Sequence, residues 1–434
     1  MNSSPHIPKA IQELTDAVHD KFRDRPRIAK MFEQCLLNTW NTTIKRNSDG
    51  TTFVITGDIP AMWLRDSAAQ VRPYLIMASQ DEAIADMIQG LVDRQFAYIQ
   101  MDPYANAFNE TPGGQGHQND LTEMSPWIWE RKYEIDSLCY PIQLGYLLWK
   151  NTGRTAQFNA GFVSGVRLIM ELWRREQHHE SDSLYRFQRL DCPPSDTLVR
   201  EGLGSPTTYT GMTWSGFRPS DDACQYGYLV PANMFAVVAL RYVKEIAAEV
   251  LGDAMLAEEA QELLTQIDEG IRAHAIVEHP DFGPVYAYET DGMGNFNLMD
   301  DANVPSLLSI PYLGYADAED PLYLNTRRLI LSKTNPYFYE GAAASGIGSP
   351  HTPVRYIWHI ALAIQGMTAT SREEQQRLLD LMEATDAGTG FMHEGFHADD
   401  PDQFTRPWFS WANMMFCEFV LMTCGIAVKR DKSE

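Results

Sequence analysis

Cysteine is scarce and unclustered in this 434-residue chain: Cys35, Cys139, Cys192, Cys224, Cys417 and Cys424 form no C-x-x-C pair. That excludes the usual zinc-ribbon and dithiol redox spacings. Apolar neighbours, as in MMFCEFVLMTCG, fit buried reduced thiols. Positive charge is short as well, with 35 Lys and Arg against 58 Asp and Glu, a net −23. A nucleic-acid backbone needs a basic face, so no nucleic-acid partner is expected. No apolar run reaches the roughly 18 residues of a membrane span, so no membrane partner is expected either. The stretch MNSSPHIPKAIQELTDAVHDKF is polar, then amphipathic, without an apolar signal core. It reads as the start of a soluble cytoplasmic protein. Neither G-x-x-x-x-G-K-[ST] nor G-x-G-x-x-G occurs, which leaves phosphate and dinucleotide cradles without support, and no cofactor is expected.

What is present is helical periodicity. Apolar residues recur at three- and four-residue steps through about a dozen segments over the whole length, among them DEAIADMIQGLVDRQFAYIQ, DSLCYPIQLGYLLWKN and SREEQQRLLDLMEATDA. Strand-like runs are few, TTFVITG and GPVYAYET. The helices are of two kinds. AEEAQELLTQIDEGIRAH carries charge along one face, whereas PANMFAVVAL and WFSWANMMFCEFVLM are apolar nearly all round and need burial on every side. Alternation of the two predicts an all-α fold, an (α/α)6 barrel with an inner ring wrapped by an outer one. No linker divides the chain and no fixed repeat recurs, so residues 1–434 are expected to form one domain.

Five polar-aromatic segments each precede a helix of the inner kind: TGDIPAMWLRDS, the insert from Tyr104 to Asp136, TGMTWSGFRPSDDACQYGYLV, SGIGSPHT and GTGFMHEGFHADDPDQFTR. Helix starts are expected at Asp66 or Ser67, Asp136, Pro231, Thr352 with Pro353, and Pro407. In a double ring these connections open at one mouth, so all five segments should converge. The insert, rich in Gly and aromatics, is expected to wall that mouth into a blind pocket.

The fifth segment holds His393-Glu394-Gly395-Phe396-His397, which matches the zinc-protease pattern H-E-x-x-H. Zinc chelation by that pattern needs a helix, so that residues four apart share a face. Here Gly388, Gly390, Gly395 and Pro401 give turn-like sequence, and no third His follows. No metal is expected. His178 and His179 sit in a charged helical stretch and are expected to face solvent. His117 and His351 lie in the mouth segments, as ligand contacts or as hydrogen-bonded loop residues.

The mouth segments share carboxylates with aromatics: Asp58, Asp66, Glu130, Glu134, Asp136, Asp221, Asp222, Glu394, Asp399 and Asp400. Two carboxyl groups across a pocket are the equipment of glycoside hydrolysis, one protonating the leaving oxygen and the other activating water or attacking carbon. Aromatic rings pack on sugar C–H faces. Asp66 fits a helix cap as well as a sugar ligand, and Trp411 fits the core better than the pocket.

The stretches GDIPAMWLRDSAAQVRPYL, GMTWSGFRPSDDACQYGYLVPANMFA, ASGIGSPHTP, GTGFMHEGFHADDP and WFSWANMMF resemble glycoside hydrolase family 125, in order and over essentially the whole chain. The resemblance implies an exo-acting α-1,6-mannosidase of (α/α)6 fold that acts without a metal and with inversion on terminal mannose of mannosides or N-glycan fragments. It carries the general acid onto Asp221, with Asp222 as second choice, and the general base onto Glu394. His393 and His397 become pocket or loop supports. Substrate contacts are then expected from Trp63, Arg65, Asp66, His117, Glu134, Asp136, Arg218, Ser220, Asp222, His351 and Trp408. The alternatives are another (α/α)6 exo-glycosidase and a sugar-binding protein without catalysis.

Overall fold

The computed structural model describes residues 7–430. The outermost residues of the expected 1–434 domain lie outside that range, as do the first six of the N-terminal stretch. Helices hold 48% of the residues and strands 12%, so the fold is helix-rich rather than purely helical.

The chain runs through α1 (Lys9–Lys21), α2 (Pro26–Thr42), α3 (Leu64–Val71), α4 (Glu82–Met101), α5 (Ile135–Thr152), α6 (Ala160–Glu176) and α7 (Val230–Ile246). It continues through α8 (Ala254–His274), a single turn α9 (Ile310–Leu313), α10 (Pro321–Ile330), α11 (His359–Met367), α12 (Arg372–Ala384) and α13 (Ser410–Thr423). Two burial patterns alternate. Every residue of α3, and every residue from Ile135 to Lys150 in α5, is buried. By contrast α12 buries only Leu378, Leu379 and Met382, and α8 buries a stripe at Leu256, Ala260, Leu263, Ile267, Gly270 and Ile271. The apolar-all-round helices thus lie inside and the striped ones outside. Packing runs from α13 to α3, α5, α7 and α9 on the inside, with α11 also against α13. Outside, α2 covers α13, α4 covers α5, α8 covers α7 and α12 covers α11. No helix among the described residues is long and apolar enough to cross a membrane.

The two kinds of helix start differently. Five outer helices carry side-chain caps, Asp81 for α4, Asn159 for α6, Asp253 for α8, Asp320 for α10 and Ser371 for α12, whereas α1 and α2 have none. Each satisfies backbone N–H groups that the helix leaves free. Inner helices have none. Their first N–H groups donate to neighbouring strands and loops instead: Leu64 to the Asn106 carbonyl at 3.0 Å, Val230 to Tyr288 at 2.9 Å and Ser410 to Thr56 at 3.0 Å.

That difference corrects two expectations. Strands are more numerous than the two runs foreseen, because six small sheets of two or three strands form. Met62–Trp63 pairs with Ala107–Phe108, which pairs with Ile128–Glu130, and Tyr356–Trp358 pairs with Gly395–His397. Most strands hold only two to four residues, too few for alternation to show in sequence. They arise because backbone buried at the inner helix starts must find partners. The helix starts also move. α11 begins at His359 rather than near Pro353, and α13 at Ser410 rather than Pro407. Before α11 a turn with Arg355 at φ +70° leads into the strand Tyr356–Trp358, and before α13 the chain reaches Ser410 through extended Phe409.

Candidate active site

One cavity, with ≈ 370 Å³ of empty space, is lined by Ile59, Trp63, Arg65, Asp66, Pro219, Ser220, Asp221, Asn303, His351, Trp358, Glu394, Arg406, Phe409 and Trp411. Four of the five segments that precede inner helices meet there. The second, Tyr104 to Asp136, supplies no lining residue and stands behind the wall. There Glu134 and Asp136 hold Arg65, while Asn106 Nδ2 reaches Asp221 Oδ1 at 3.4 Å. A further segment, ending at Asn303, enters the wall unforeseen.

Asp221 sits at the tip of a tight turn. Arg218 N–H donates to the Asp222 carbonyl at 2.8 Å, and Asp221 N–H to the Arg218 carbonyl at 2.9 Å. The turn puts Asp221 at φ +67°, in the left-handed region, which Asp tolerates better than most residues and which costs of order 1–3 kcal/mol. Lys132 Nζ pins the turn by donating to the Asp221 carbonyl at 2.7 Å. Arg65 Nη2 lies 3.2 Å from Asp221 Oδ1. Burial pushes the Asp221 carboxyl up, but Arg65 and Lys132 outweigh it and hold the group at about 2.

Glu394 lies just ahead of the strand Gly395–His397, buried to 7% exposure. Arg406 Nη1 stands 3.6 Å from its Oε1. Arg406 is itself fixed, with Nε 3.1 Å from the Asp58 carboxylate and its guanidinium over the Phe409 ring at 4.1 Å. The base candidate therefore has its charge partner held rigidly beside it.

His351 is exposed on the cavity rim, and its Nδ1 donates to Asp222 Oδ1 at 3.1 Å. Burial pulls the imidazole down, yet the bond to Asp222 outweighs it and the group rises to about 9. An imidazolium thus faces both Glu394 and Asp221. Burial pushes Asp66 up to about 6.

The expected contacts divide. Trp63, Arg65, Asp66, Ser220 and His351 line the cavity together with Asp221 and Glu394. Glu134, Asp136, Arg218 and Asp222 are buried behind it, Arg218 on Glu289 at 2.6 Å. His117 lies out on the insert, 3.7 Å from Glu130. Trp408 turns away, its Nε1 donating to Asn38 Oδ1 on α2 at 3.0 Å. Trp411, expected in the core, is fully buried and also forms cavity wall beneath Arg65, whose guanidinium lies 5.5 Å from its ring. Asn303, Trp358, Arg406 and Phe409 were not foreseen. A signal existed for Arg406, the last residue of a segment already read as mouth, whereas Phe409 fell within the helix expected to start at Pro407.

The H-E-x-x-H stretch is turn and strand, not helix. His393 is buried, its ring stacked on Phe404 at 3.8 Å. Among the described residues no group of three His, Cys, Asp or Glu could hold a metal ion. His179 corrects its expectation. It is buried, stacked on Trp214 at 3.5 Å and bonded to Glu176 at 2.6 Å, whereas His178 is exposed.

Residues 25–421 match the family model described as metal-independent α-mannosidase, GH125. A solved Streptococcus pneumoniae protein resembles the chain at 52% identity and a TM-score of 0.95, over 97% of this chain and 99% of that one. It is described among metal-independent α-mannosidases in the context of N-linked glycan processing, in non-productive complex with α-1,6-mannobiose. The meiotically up-regulated gene 157 protein of Schizosaccharomyces pombe is 38% identical over 435 residues, covering 95% of this chain and 85% of that protein. A family GH78 rhamnosidase of Bacillus sp. GL1, at 14% identity and TM-score 0.55 over 92% of this chain and 35% of its own, shares the fold alone.

Proposed function

The chain belongs to glycoside hydrolase family 125, the metal-independent α-mannosidases, and from that premise we propose that it removes single α-1,6-linked mannose residues from the non-reducing ends of mannosides or N-glycan fragments. The observation that carries the reading is one cavity lined by both Asp221 and Glu394, with aromatic rings around them. Asp221 is the general acid, delivering a proton to the glycosidic oxygen. Glu394, paired with Arg406, is the general base and takes a proton from the water that attacks C1. The reaction inverts the anomeric centre. Trp63, Trp358, Phe409 and Trp411 offer faces to the sugar ring, while Arg65, Asp66, Ser220 and His351 hold hydroxyl groups. Glu134, Asp136, Arg218 and Asp222 act on the substrate through the residues they position.

The architecture fits an (α/α)6 barrel with α3, α5, α7, α9, α11 and α13 inside. One hydrophobic core reaching from Ala10 to Val428 supports a single catalytic domain. Six unpaired cysteines support a reducing, cytoplasmic setting.

NMR of the first sugar released from α-1,6-mannobiose tests the reading. β-Mannose appearing before mutarotation is expected. α-Mannose first would replace the base by a nucleophile, and no release over long incubation would favour a binding protein.

A further inference from the structure

Glu394 is aimed by its backbone, because its carboxylate is not clamped. Arg406 Nη1, the cation beside it, stands 3.6 Å from Oε1, beyond hydrogen-bond length. The backbone is tied on both sides of the base. Met392 N–H donates to Asn413 Oδ1 at 2.9 Å, His393 N–H to His359 Nδ1 at 3.0 Å and Gly395 N–H to Thr405 Oγ1 at 3.1 Å. All three amides end on side chains, whereas most buried amides end on carbonyl oxygens. His359 opens α11 and Asn413 lies in the first turn of α13, so two inner helices grip the segment that carries the base.

His359 is the best defined of these grips. Its side chain is fully buried. Thr385, at the end of α12, gives its hydroxyl proton to the Leu381 carbonyl at 2.8 Å. Its oxygen is then left to accept from His359 Nε2–H at 3.2 Å. With the ring proton on Nε2, Nδ1 keeps a lone pair for the His393 amide. The same Nδ1 lies 3.1 Å from the His393 carbonyl oxygen, so it abuts both ends of the residue before Glu394. Burial holds the imidazole down at about 3, so the ring is neutral near pH 7 and the lone pair stays available.

We propose that His359 is the positioning residue of the general base: through His393 it fixes the backbone from which the Glu394 carboxylate reaches the attacking water. The proposal rests on Glu394 being that base. His359 lines no part of the cavity, so it acts on the reaction through the chain it holds. Thr405 completes the frame from the far side. Its N–H donates to the Gly395 carbonyl at 2.8 Å, and Arg406 follows it. The frame that carries the base therefore carries its charge partner as well.

An inverting site must leave room for one water between the base and the anomeric carbon. A base that shifts by about 1 Å loses its line to that water, which can cost about 10²-fold in rate. The sugar contacts from Trp63, Arg65 and Asp66 stand on another element, α3 and the strand before it. Loss of the His359 grip is therefore a loss of turnover and not of sugar binding.

The test compares two substitutions on α-1,6-mannobiose. The amide of asparagine reaches the place of histidine Nδ1, and that of glutamine the place of Nε2. His359→Asn keeps a partner for His393 and is expected to hold kcat within about fivefold of wild type. His359→Gln keeps the Thr385 bond and loses the His393 one. Its kcat is expected to fall about 10²-fold, with KM within about twofold, which also shows that the variant is folded. Sodium azide supplies a nucleophile with no proton to lose. It should restore turnover of His359→Gln and yield β-mannosyl azide: a nitrogen bonds to C1, the C1–O bond breaks, and Asp221 protonates the departing oxygen. Thr385→Val frees the ring proton while leaving the imidazole in place, and should show the same azide-repaired loss at about tenfold. Equal losses in the Asn and Gln variants, a loss carried by KM, a loss that azide leaves unrepaired, or wild-type activity in His359→Gln would each overturn the proposal. Glu394→Ala separates it from its premise. If azide rescues Glu394→Ala and not His359→Gln, only the positioning role fails; if azide does not rescue Glu394→Ala, the base assignment fails.

Discussion

Asp221 and Asp222 are consecutive, yet their carboxyl groups serve different partners. Asp221 meets Arg65 in the cavity wall at 3.2 Å, whereas Asp222 takes His351 Nδ1 at 3.1 Å from behind it. The left-handed backbone at Asp221 separates them. Asp221→Asn is expected to lower kcat/KM on α-1,6-mannobiose by about 10² to 10⁴-fold and to affect dinitrophenyl mannoside far less. Asp222→Asn should cost less on the disaccharide and show no dependence on the leaving group. The reverse ranking would make Asp222 the acid.

Glu394→Gln should depress both substrates, by about 10² to 10⁴-fold each, because water must be activated whatever departs. A variant that spares the aryl substrate contradicts the assignment. So does a trapped glycosyl-enzyme on Glu394, which would make that residue a nucleophile.

His351 owes its high position to Asp222. Its folded value of about 9 lies above the ordinary 6.5, so the interaction is complete below about 6.5 and fades as pH rises through about 9. Proton NMR of the His351 ring should titrate near that upper value in the wild type and distinctly lower in Asp222→Asn. Identical midpoints would mean that Asp222 is not the cause.

Asp66 has the opposite signature. Burial holds its carboxyl at about 6 against an ordinary 3.8. The folded chain therefore binds this proton more tightly than the unfolded chain, and the resulting stability is present in acid and lost as pH rises from about 4 to 6. Asp66→Asn does not titrate. Its stability relative to wild type should improve by about 2 kcal/mol between pH 4 and pH 7. Thermal melts across that range measure it, and a constant difference would refute it.

Exhaustive chelation should leave kcat/KM unchanged, and added zinc should not raise it. The two histidines of the protease-like stretch are separated by extended chain, with His393 stacked on Phe404. Residues four apart along extended backbone span about 13 Å, too far to share one ion. Activity lost to chelation and restored by a divalent cation would reverse this conclusion.

Sequence pattern located the outer helices well because their caps are written locally. Asp81, Asp320 and Ser371 stand one residue before the periodic run and bond to its first amides. Inner helices were visible as apolar segments, but their starts were not, since the partners of Leu64 and Ser410 lie 42 and 354 residues away, at Asn106 and Thr56. The site followed the same division. Asp221 and Glu394 were legible among the carboxylates of the mouth segments, and the family resemblance singled them out. Asn303 carried no such mark, and its place in the wall depends on how the segment before α9 packs. Trp411 met the criteria for core and for pocket together, because α13 is buried from Ser410 to Leu421 and its first turn also lines the cavity. The Arg65 cluster was beyond reach for another reason: Glu134 and Asp136 were legible as acidic, but not that both turn toward one guanidinium.

Residues from opposite ends of the chain meet at the cavity. α2 packs on α13, Asp58 binds Arg406, and the Ser410 hydroxyl meets Thr39 at 2.6 Å. The cavity wall joins Ile59, Trp63 and Asp66 to Glu394, Phe409 and Trp411. During synthesis the first group waits, solvent-exposed, until the last has been made. On the proposed roles, a ribosome-bound chain halted short of Glu394 carries Asp221 without its counterpart and is expected to be inactive. Contacts of such sequence separation also slow folding, which leaves the long apolar inner helices unburied for longer than in a chain built from local pairs.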